Sequence, residues 1–196
     1  AVITFILLLI SNFLGLISFI LTIWVYYFFR DPERFPINDE NYLVSPADGT
    51  ISQIIETNGP KELNLESKKY TRVSIFMNVF DCHVNRLPSN GIIEQIFYKP
   101  GKYLNASLDK SSEENERNYV KINTKNGDEL VLVQIAGLIA RRIVCEIREK
   151  EEKKQGDKFG IIRFGSRVDL YFENYKLMVN KNQKTIAGET IIAKKN

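Results

Sequence analysis

The stretch that decides the fold is GIIRFGSRVDLYF, Gly160 to Phe172. Ile161, Ile162 and Phe164 precede a bare Gly165-Ser166 pair, and Val168, Leu170 and Phe172 follow it in strict alternation. Alternation of this kind predicts a half-buried strand after Ser166. A glycine inside such a pattern marks a bulge, a turn or a close approach of backbone. Working outward, similar runs occur at Leu43-Val44, Thr50 to Ile55, Val73 to Val79, Gly91 to Tyr98, Tyr119 to Asn123 and Leu130 to Ala136. LIARRIVCEI reads as a continued strand, and YKLMVNKNQKTIAGETIIA, Tyr175 to Ala193, as two short strands around a polar turn. Lys99 to Asn118 reads as a long loop, and REKEEKKQGDK as a charged loop with room for a helical turn. Beyond the N-terminal segment no stretch keeps helical periodicity over ten residues. The predicted class is therefore mainly β, a sandwich or an open barrel.

Charge divides the chain sharply. Ala1 to Phe29 contains no Asp, Glu, Lys or Arg, so all 27 basic and 24 acidic residues lie in Arg30 to Asn196. The uncharged run exceeds the roughly 20 apolar residues that a spanning helix needs. It is too long for a signal-peptide core, and no small-x-small cleavage site follows it. Trp24, Tyr26 and Tyr27 stand at its end where an aromatic belt would lie, with Arg30 directly after. Residues 1–29 are thus expected to be a transmembrane or membrane-embedded helical anchor, as one tilted span or as a hairpin bent near Asn12 and Gly15. Residues 30–196 are expected to form the functional domain, on the cytoplasmic side of the cell membrane. The formal net charge of +3 carries no clustered basic footprint for nucleic acid. With one histidine and two cysteines outside any CxxC pattern, no metal site is expected.

Three short stretches hold the residues suited to chemistry: SPADG with Asp48, DCHVNRLP with His83 and Arg86, and RFGSR with Gly165-Ser166. Each alone has a plain structural reading, since Asp-Gly is a favoured turn pair and a lone histidine is more often structural. Together they carry a resemblance. FFRDPERFP…VSPADGTI at Phe28 to Ile51, FMNVFDCHVNRLP at Phe76 to Pro88, GLIARRIV at Gly137 to Val144 and GIIRFGSRVDLYF resemble, in order, the signature blocks of the phosphatidylserine decarboxylases. The last block is similar to the processing site of the short, single-domain branch of that family.

The resemblance implies a proenzyme that cuts itself between Gly165 and Ser166. Ser166 would become a covalent pyruvoyl group, the cofactor that serves as electron sink when phosphatidylserine loses CO2 to give phosphatidylethanolamine. The products of the cut would be a β chain, 1–165, and an α chain, 166–196, with a phospholipid substrate and the membrane as partners and a homo-oligomer left open. The resemblance assigns catalytic roles to Ser166, His83 and Asp48, and His83 has an imidazole suited to proton transfer near neutral pH. Longer members carry a second histidine three residues after the first, where this chain has Arg86, which cannot act as a base. Arg86, Arg141 and Arg142 are expected to hold the lipid phosphate. A decarboxylase of a related serine phospholipid such as archaetidylserine is the nearest alternative. An uncleaved, membrane-tethered adaptor is the alternative from another class.

Overall fold

The computed structural model describes residues 2–102, 114–137, 142–163 and 166–196. The chain divides into two compact units, Ala1–Pro32 and Glu33–Asn196. Of the two forms expected for the N-terminal segment, one tilted span or a hairpin, the first unit takes the hairpin. It holds two helices, α1 (Val2–Ile10) and α2 (Asn12–Phe28), separated at Ser11, whose backbone is extended. Among the described residues no helix is long and apolar enough to cross a membrane. The two helices form an antiparallel hairpin. Thr4 Oγ1 lies 3.0 Å from Ser18 Oγ and 3.2 Å from Thr22 Oγ1, and Gly15 lets the helices close up. A Cβ at Gly15 would come within 2.8 Å of the Leu8 Cα. Hydroxyls at Thr4, Ser18 and Thr22 thus face one another inside an otherwise apolar hairpin, while the outward residues are large and exposed, from Val2 to Phe29.

The second unit is mainly β. Its strands are β1 (Tyr42–Val44), β2 (Gly49–Asn58), β3 (Lys69–Met77), β4 (Val84–Arg86), β5 (Gly91–Lys99), β6 (Arg117–Thr124) and β7 (Glu129–Ala136). They continue as β8 (Ile143–Cys145), β9 (Glu152–Lys153), β10 (Lys158–Ile162), β11 (Ser166–Phe172), β12 (Tyr175–Leu177), β13 (Lys184–Thr185) and β14 (Ile191–Lys195). Eight of them make one antiparallel sheet in the order β13-β2-β3-β11-β7-β6-β5-β9. Register shifts at Ile51/Gln53 and Ile93/Gln95 are β-bulges, which bend and curl such a sheet. Two three-stranded sheets, β1-β14-β12 and β4-β10-β8, complete the unit.

Strand β11 sits in the middle of the large sheet, paired with β3 on one side and β7 on the other. Val168, Leu170 and Phe172 face the main core together with Val73, Ile75 and Met77 of β3 and Leu130 and Leu132 of β7. Leu43 and Ile192 from one small sheet and Phe159 and Ile162 from the other fill the same core. The opposite face packs Tyr171 against Tyr70, Val131, Val133 and Ile135, closed by Leu63 from a 3-10 turn at Lys61–Leu63 and by Leu65 just after it.

The half-buried strand expected after Ser166 is in fact buried at all seven positions. The alternation had polar residues at Arg167 and Asp169, which reads as a wet face. Instead the two pair with each other: Arg167 Nε donates to Asp169 Oδ1 at 2.7 Å and Nη2 to Oδ2 at 2.7 Å. Bidentate geometry of this kind is the strongest arrangement open to the two groups. The charged stretch after Arg148 forms the short edge strand β9 against Gly91 and Ile92 rather than a helical turn. The end of the chain carries three short strands, β12 to β14, where two were expected.

Removing one partner of a buried ion pair strands the other charge away from water, at a cost of about 3–5 kcal/mol. Asp169→Ala is therefore expected to lower the urea midpoint of the full chain sharply. A midpoint within experimental error of the unchanged protein would refute this account of β11.

Candidate active site

The four sequence blocks converge in space through backbone hydrogen bonds. Arg86 N–H donates to the Pro46 carbonyl at 2.9 Å, joining the DCHVNRLP block to the SPADG turn. Val84 pairs with Ile161, and Ile162 N–H donates to the His83 carbonyl, joining the same block to the GIIRFGSR stretch. Ile143 pairs with Ile162, and Arg163 N–H donates to the Arg142 carbonyl, which brings in GLIARRIV. Gly160 makes this packing feasible, since a Cβ there would lie 2.2 Å from the Val144 carbonyl oxygen. The chain thus leaves the small β4-β10-β8 sheet at Arg163 and enters the centre of the large sheet at Ser166. Gly165 and Arg141 lie outside the described residues.

Ser166 is the first residue of β11, facing Met77 of β3 and Ala136 of β7. By the two-residue period of a strand its side chain shares the core face with Val168. It is fully buried, and its hydroxyl has no hydrogen-bond partner among the described residues. A buried hydroxyl usually finds a partner, so this one is an exception that calls for a functional reason.

His83 is also fully buried. Its Nδ1 lies 2.9 Å from the Asp81 carbonyl oxygen. A carbonyl can only accept, so Nδ1 carries the hydrogen and the basic lone pair of the neutral ring is on Nε2. Asp81 is itself placed by its turn, where its carboxylate accepts from the Asn78 N–H at 2.9 Å.

Asp48 is held firmly. Oδ2 accepts from Arg34 Nη2 at 2.7 Å and Oδ1 from the Ala187 N–H at 2.8 Å. Gly49 after it permits the approach of the Phe76 carbonyl, which would stand 2.3 Å from a Cβ. Thr50 pairs with Phe76 and Phe76 with Arg167, so Asp48 directly precedes a strand two places from β11. At the usual strand spacing that is about 10 Å of backbone separation from Ser166. The structure therefore brings Asp48 to the same end of the sheet as Ser166 and occupies its carboxylate with Arg34.

Arg86 is buried and its Nη1 donates to the Gly156 carbonyl at 3.0 Å. Burial, and after it the charge of Arg34, lowers its pKa from the ordinary arginine value. Arg142 is exposed. Cys82 and Cys145 are free thiols, and burial raises the pKa of Cys145. A cavity of about 450 Å³, lined by Arg72, Arg117, Lys99, Glu62 and Asp169, opens on the opposite face of the sheet from the Ser166 side chain. It is not the site of chemistry at Ser166.

Sequence reading passed over one set of polar residues at this site. Asn85, Gln134 and Asn118 are buried at 0%, 0% and 2% exposure and linked side chain to side chain. Asn118 Nδ2 donates to Gln134 Oε1 at 3.0 Å, and Gln134 Nε2 donates to Asn85 Oδ1 at 2.8 Å. The signal was present: Gln134 interrupts the apolar run LVLVQIA, and a polar residue there must be satisfied in the core.

The family model for phosphatidylserine decarboxylase matches residues 21–193. The chain belongs to that family. A Pelagibacter ubique protein called phosphatidylserine decarboxylase proenzyme is 64% identical over 194 residues, a match covering 99% of this chain and 90% of the relative. Proteins of the same name from Rickettsia typhi and Rickettsia prowazekii are each 54% identical over 195 residues, covering 98% of this chain and 84% of theirs. Pyruvoyl dependence is a property of the family.

The clamp on Asp48 yields a prediction about stability. Asp48→Ala leaves the Arg34 guanidinium and the Ala187 N–H without their carboxylate, a loss of about 2–3 kcal/mol for hydrogen bonds to a charged group. Measured in a Ser166→Ala background, where cutting cannot intervene, Asp48→Ala should lower the melting temperature by several degrees. An unchanged melt would show the clamp to be energetically idle.

Proposed function

We propose that this chain is a self-processing, pyruvoyl-dependent decarboxylase that converts phosphatidylserine to phosphatidylethanolamine in phospholipid biosynthesis, with Ser166 as the residue consumed. The observation that carries this reading is the Ser166 hydroxyl, fully buried and without a hydrogen-bond partner among the described residues, at the first position of a central strand. The site fits the group: position 166 lies in a dry, rigid setting where a new chain end would be held by the β3 and β7 ladders.

In the precursor, Ser166 Oγ adds to the carbonyl carbon of residue 165, the peptide C–N bond breaks, and the hydroxyl proton ends on the freed amine, leaving an ester. Elimination then removes the Cα proton and breaks the Cβ–Oγ bond. Uptake of water and loss of ammonia leave the ketone at position 166. The β3 and β7 ladders hold the residue that carries the nucleophile in place, and an intramolecular attack of this kind gains from high effective molarity. His83 is the sole imidazole of the chain, and its Nε2 lone pair is suited to taking the Ser166 proton. Asp48 acts at a remove, fixing the SPADG turn and with it β4, which carries Arg86 and directly follows His83.

The pyruvoyl ketone supplies the electron sink that lets the substrate carboxylate depart. His83 returns a proton from Nε2 to the substrate carbon that loses CO2. Core side chains around β11 exclude water, and exposed Arg142, with Arg141 beside it in sequence, meets the lipid phosphate. Arg86, whose guanidinium is buried against the Gly156 carbonyl, supports the fold around the site more than the phosphate.

The hairpin of α1 and α2 is the membrane anchor in this reading. Its longer helix, 17 residues, measures about 25 Å. A bilayer core of about 30 Å is deeper than that, so the hairpin enters one leaflet and returns. Tyr27 stacks under the Arg30 guanidinium at 3.9 Å, a pair suited to the headgroup level on the cytoplasmic side. Arg34, bound to Asp48, adds little to that orientation.

Two outcomes test the reading. Ser166→Ala should give a single uncut chain without decarboxylase activity, and the unchanged protein should release a fragment, 166–196, whose first residue carries a ketone in place of its amine. His83→Ala should show slowed cutting and, in whatever fraction is cut, turnover lowered at least 100-fold. An intact, unmodified chain with full activity would overturn the mechanism, and an intact chain without activity would favour the adaptor. For the anchor, the full chain should stay with membranes through carbonate at high pH; release into the supernatant would remove the hairpin from the lipid.

A further inference from the structure

The Asn85 amide is held in a position that bears directly on Ser166. It touches both strands that flank β11. On one side Asn85 Nδ2 lies 3.6 Å from Met77 Sδ, and Met77 is the cross-strand partner of Ser166 on β3. On the other side Gln134 Nε2 donates to Asn85 Oδ1, and Gln134 sits on β7 two residues before Ala136, the other partner of Ser166. Paired residues on neighbouring antiparallel strands point to the same face, so Met77, Ser166 and Ala136 face the core together, with Gln134 beside them. An amide that reaches a β3 side chain and a β7 side chain at once lies over the Ser166 end of β11.

Its orientation is fixed as well. Asn118 donates to Gln134 and Gln134 to Asn85, so the Asn85 oxygen is taken and its NH2 points onward. The acceptor that this NH2 reaches is a thioether, which accepts weakly. Among the described residues this fully buried amide donor thus meets a weak acceptor, over the same sheet face as the fully buried Ser166 hydroxyl, which has no hydrogen-bond partner there. Negative charge arises in self-cleavage when Ser166 Oγ adds to the neighbouring carbonyl.

We propose that Asn85 is a catalytic residue for self-cleavage: its Nδ2–H donates to the oxygen that becomes negatively charged when Ser166 Oγ adds to the carbonyl carbon of residue 165. Gln134 and Asn118 are positioning residues that aim it. In the addition step the Oγ–C bond forms, the carbonyl π pair moves onto oxygen, and the hydroxyl proton leaves to base. As the pair returns, the C–N bond breaks and the nitrogen takes up the proton, so the Asn85 hydrogen bond is needed only while the charge lasts. Donors placed in this way are worth about 100- to 1000-fold in rate. The inference rests on Ser166 being the nucleophile.

The test follows cutting of the full chain in time on denaturing gels, with and without hydroxylamine, which cleaves any ester that has accumulated. Asn85→Asp and Asn85→Leu remove the donor at nearly constant size and should slow the appearance of the 166–196 fragment at least 100-fold. Hydroxylamine should not restore it, because the addition step itself is impaired. Asn85→Ser keeps a small donor and should recover part of the rate. Folding is read separately, as the melting temperature of each variant with Ser166→Ala added. A folded Asn85→Leu that cuts within threefold of the unchanged rate overturns the proposal, as does a slow variant whose cutting hydroxylamine restores in full. Should both donor-less variants fail to fold, Gln134→Met decides: cutting slowed tenfold or more supports the relay, and an unchanged rate overturns it. Failure of the unchanged chain to cut at Ser166 at all would instead sink the reading on which this inference rests.

Discussion

The constraint on which the rest depends is that β11 is paired along both edges and buried at all seven of its positions. Its backbone is bonded to β3 and β7, one face is filled by the main core, and the other is closed by Tyr70, Tyr171 and the Arg167–Asp169 pair. A strand with a free edge or a wet face can fray at its first residue. Here the first residue is Ser166, and it is held as firmly as the middle of the strand. The charged pair two residues wide is therefore part of the reactive site's support, though it faces away from it. It neutralises both charges within one strand and holds Asp169 within 3.9 Å of Arg72 Nε on the neighbouring one.

The central strand was legible in the sequence because alternation and a Gly-Ser break are local signals. Its complete burial was not, because Arg167 and Asp169 look solvated until their partners are known, and each turns out to be the other's. The N-terminal segment shows the reverse failure. Its composition announces an apolar element, but the break at Ser11 and the contacts among Thr4, Ser18 and Thr22 depend on how two helices close on each other. Asp48, His83 and Ser166 were singled out through the family resemblance, and the fold joins their blocks by backbone hydrogen bonds. The Asn85–Gln134–Asn118 set was missed because its members are far apart in sequence and unremarkable singly. Only the pairing of β6, β7 and β4 around one core makes them a relay.

The replacement of a second histidine by Arg86 also gains a physical setting. Around it lie Arg34, Asp48 and the Gly156 carbonyl, so the position holds a fixed positive charge among backbone dipoles and a carboxylate. That arrangement stiffens the turn bearing Asp48 and the strand after His83. Under the proposed mechanism, proton transfer then falls to the one imidazole of the chain and electrostatic support to neutral amides, which do not titrate.

The passage from β10 to β11 has a consequence for the life history of the protein. Residues 166–196 supply the middle strand of the large sheet, its edge strand β13, and two of the three strands of a small sheet. A cut before Ser166 leaves this piece threaded through the remainder, so the two chains stay together without a covalent link. The loop-closure advantage that guided β11 between β3 and β7 belongs only to the uncut chain. Once cut and then unfolded, the short piece would have to find a slot that exists only in its presence. Such a protein assembles once, and its working lifetime is set by how slowly it comes apart, a rate and not an equilibrium.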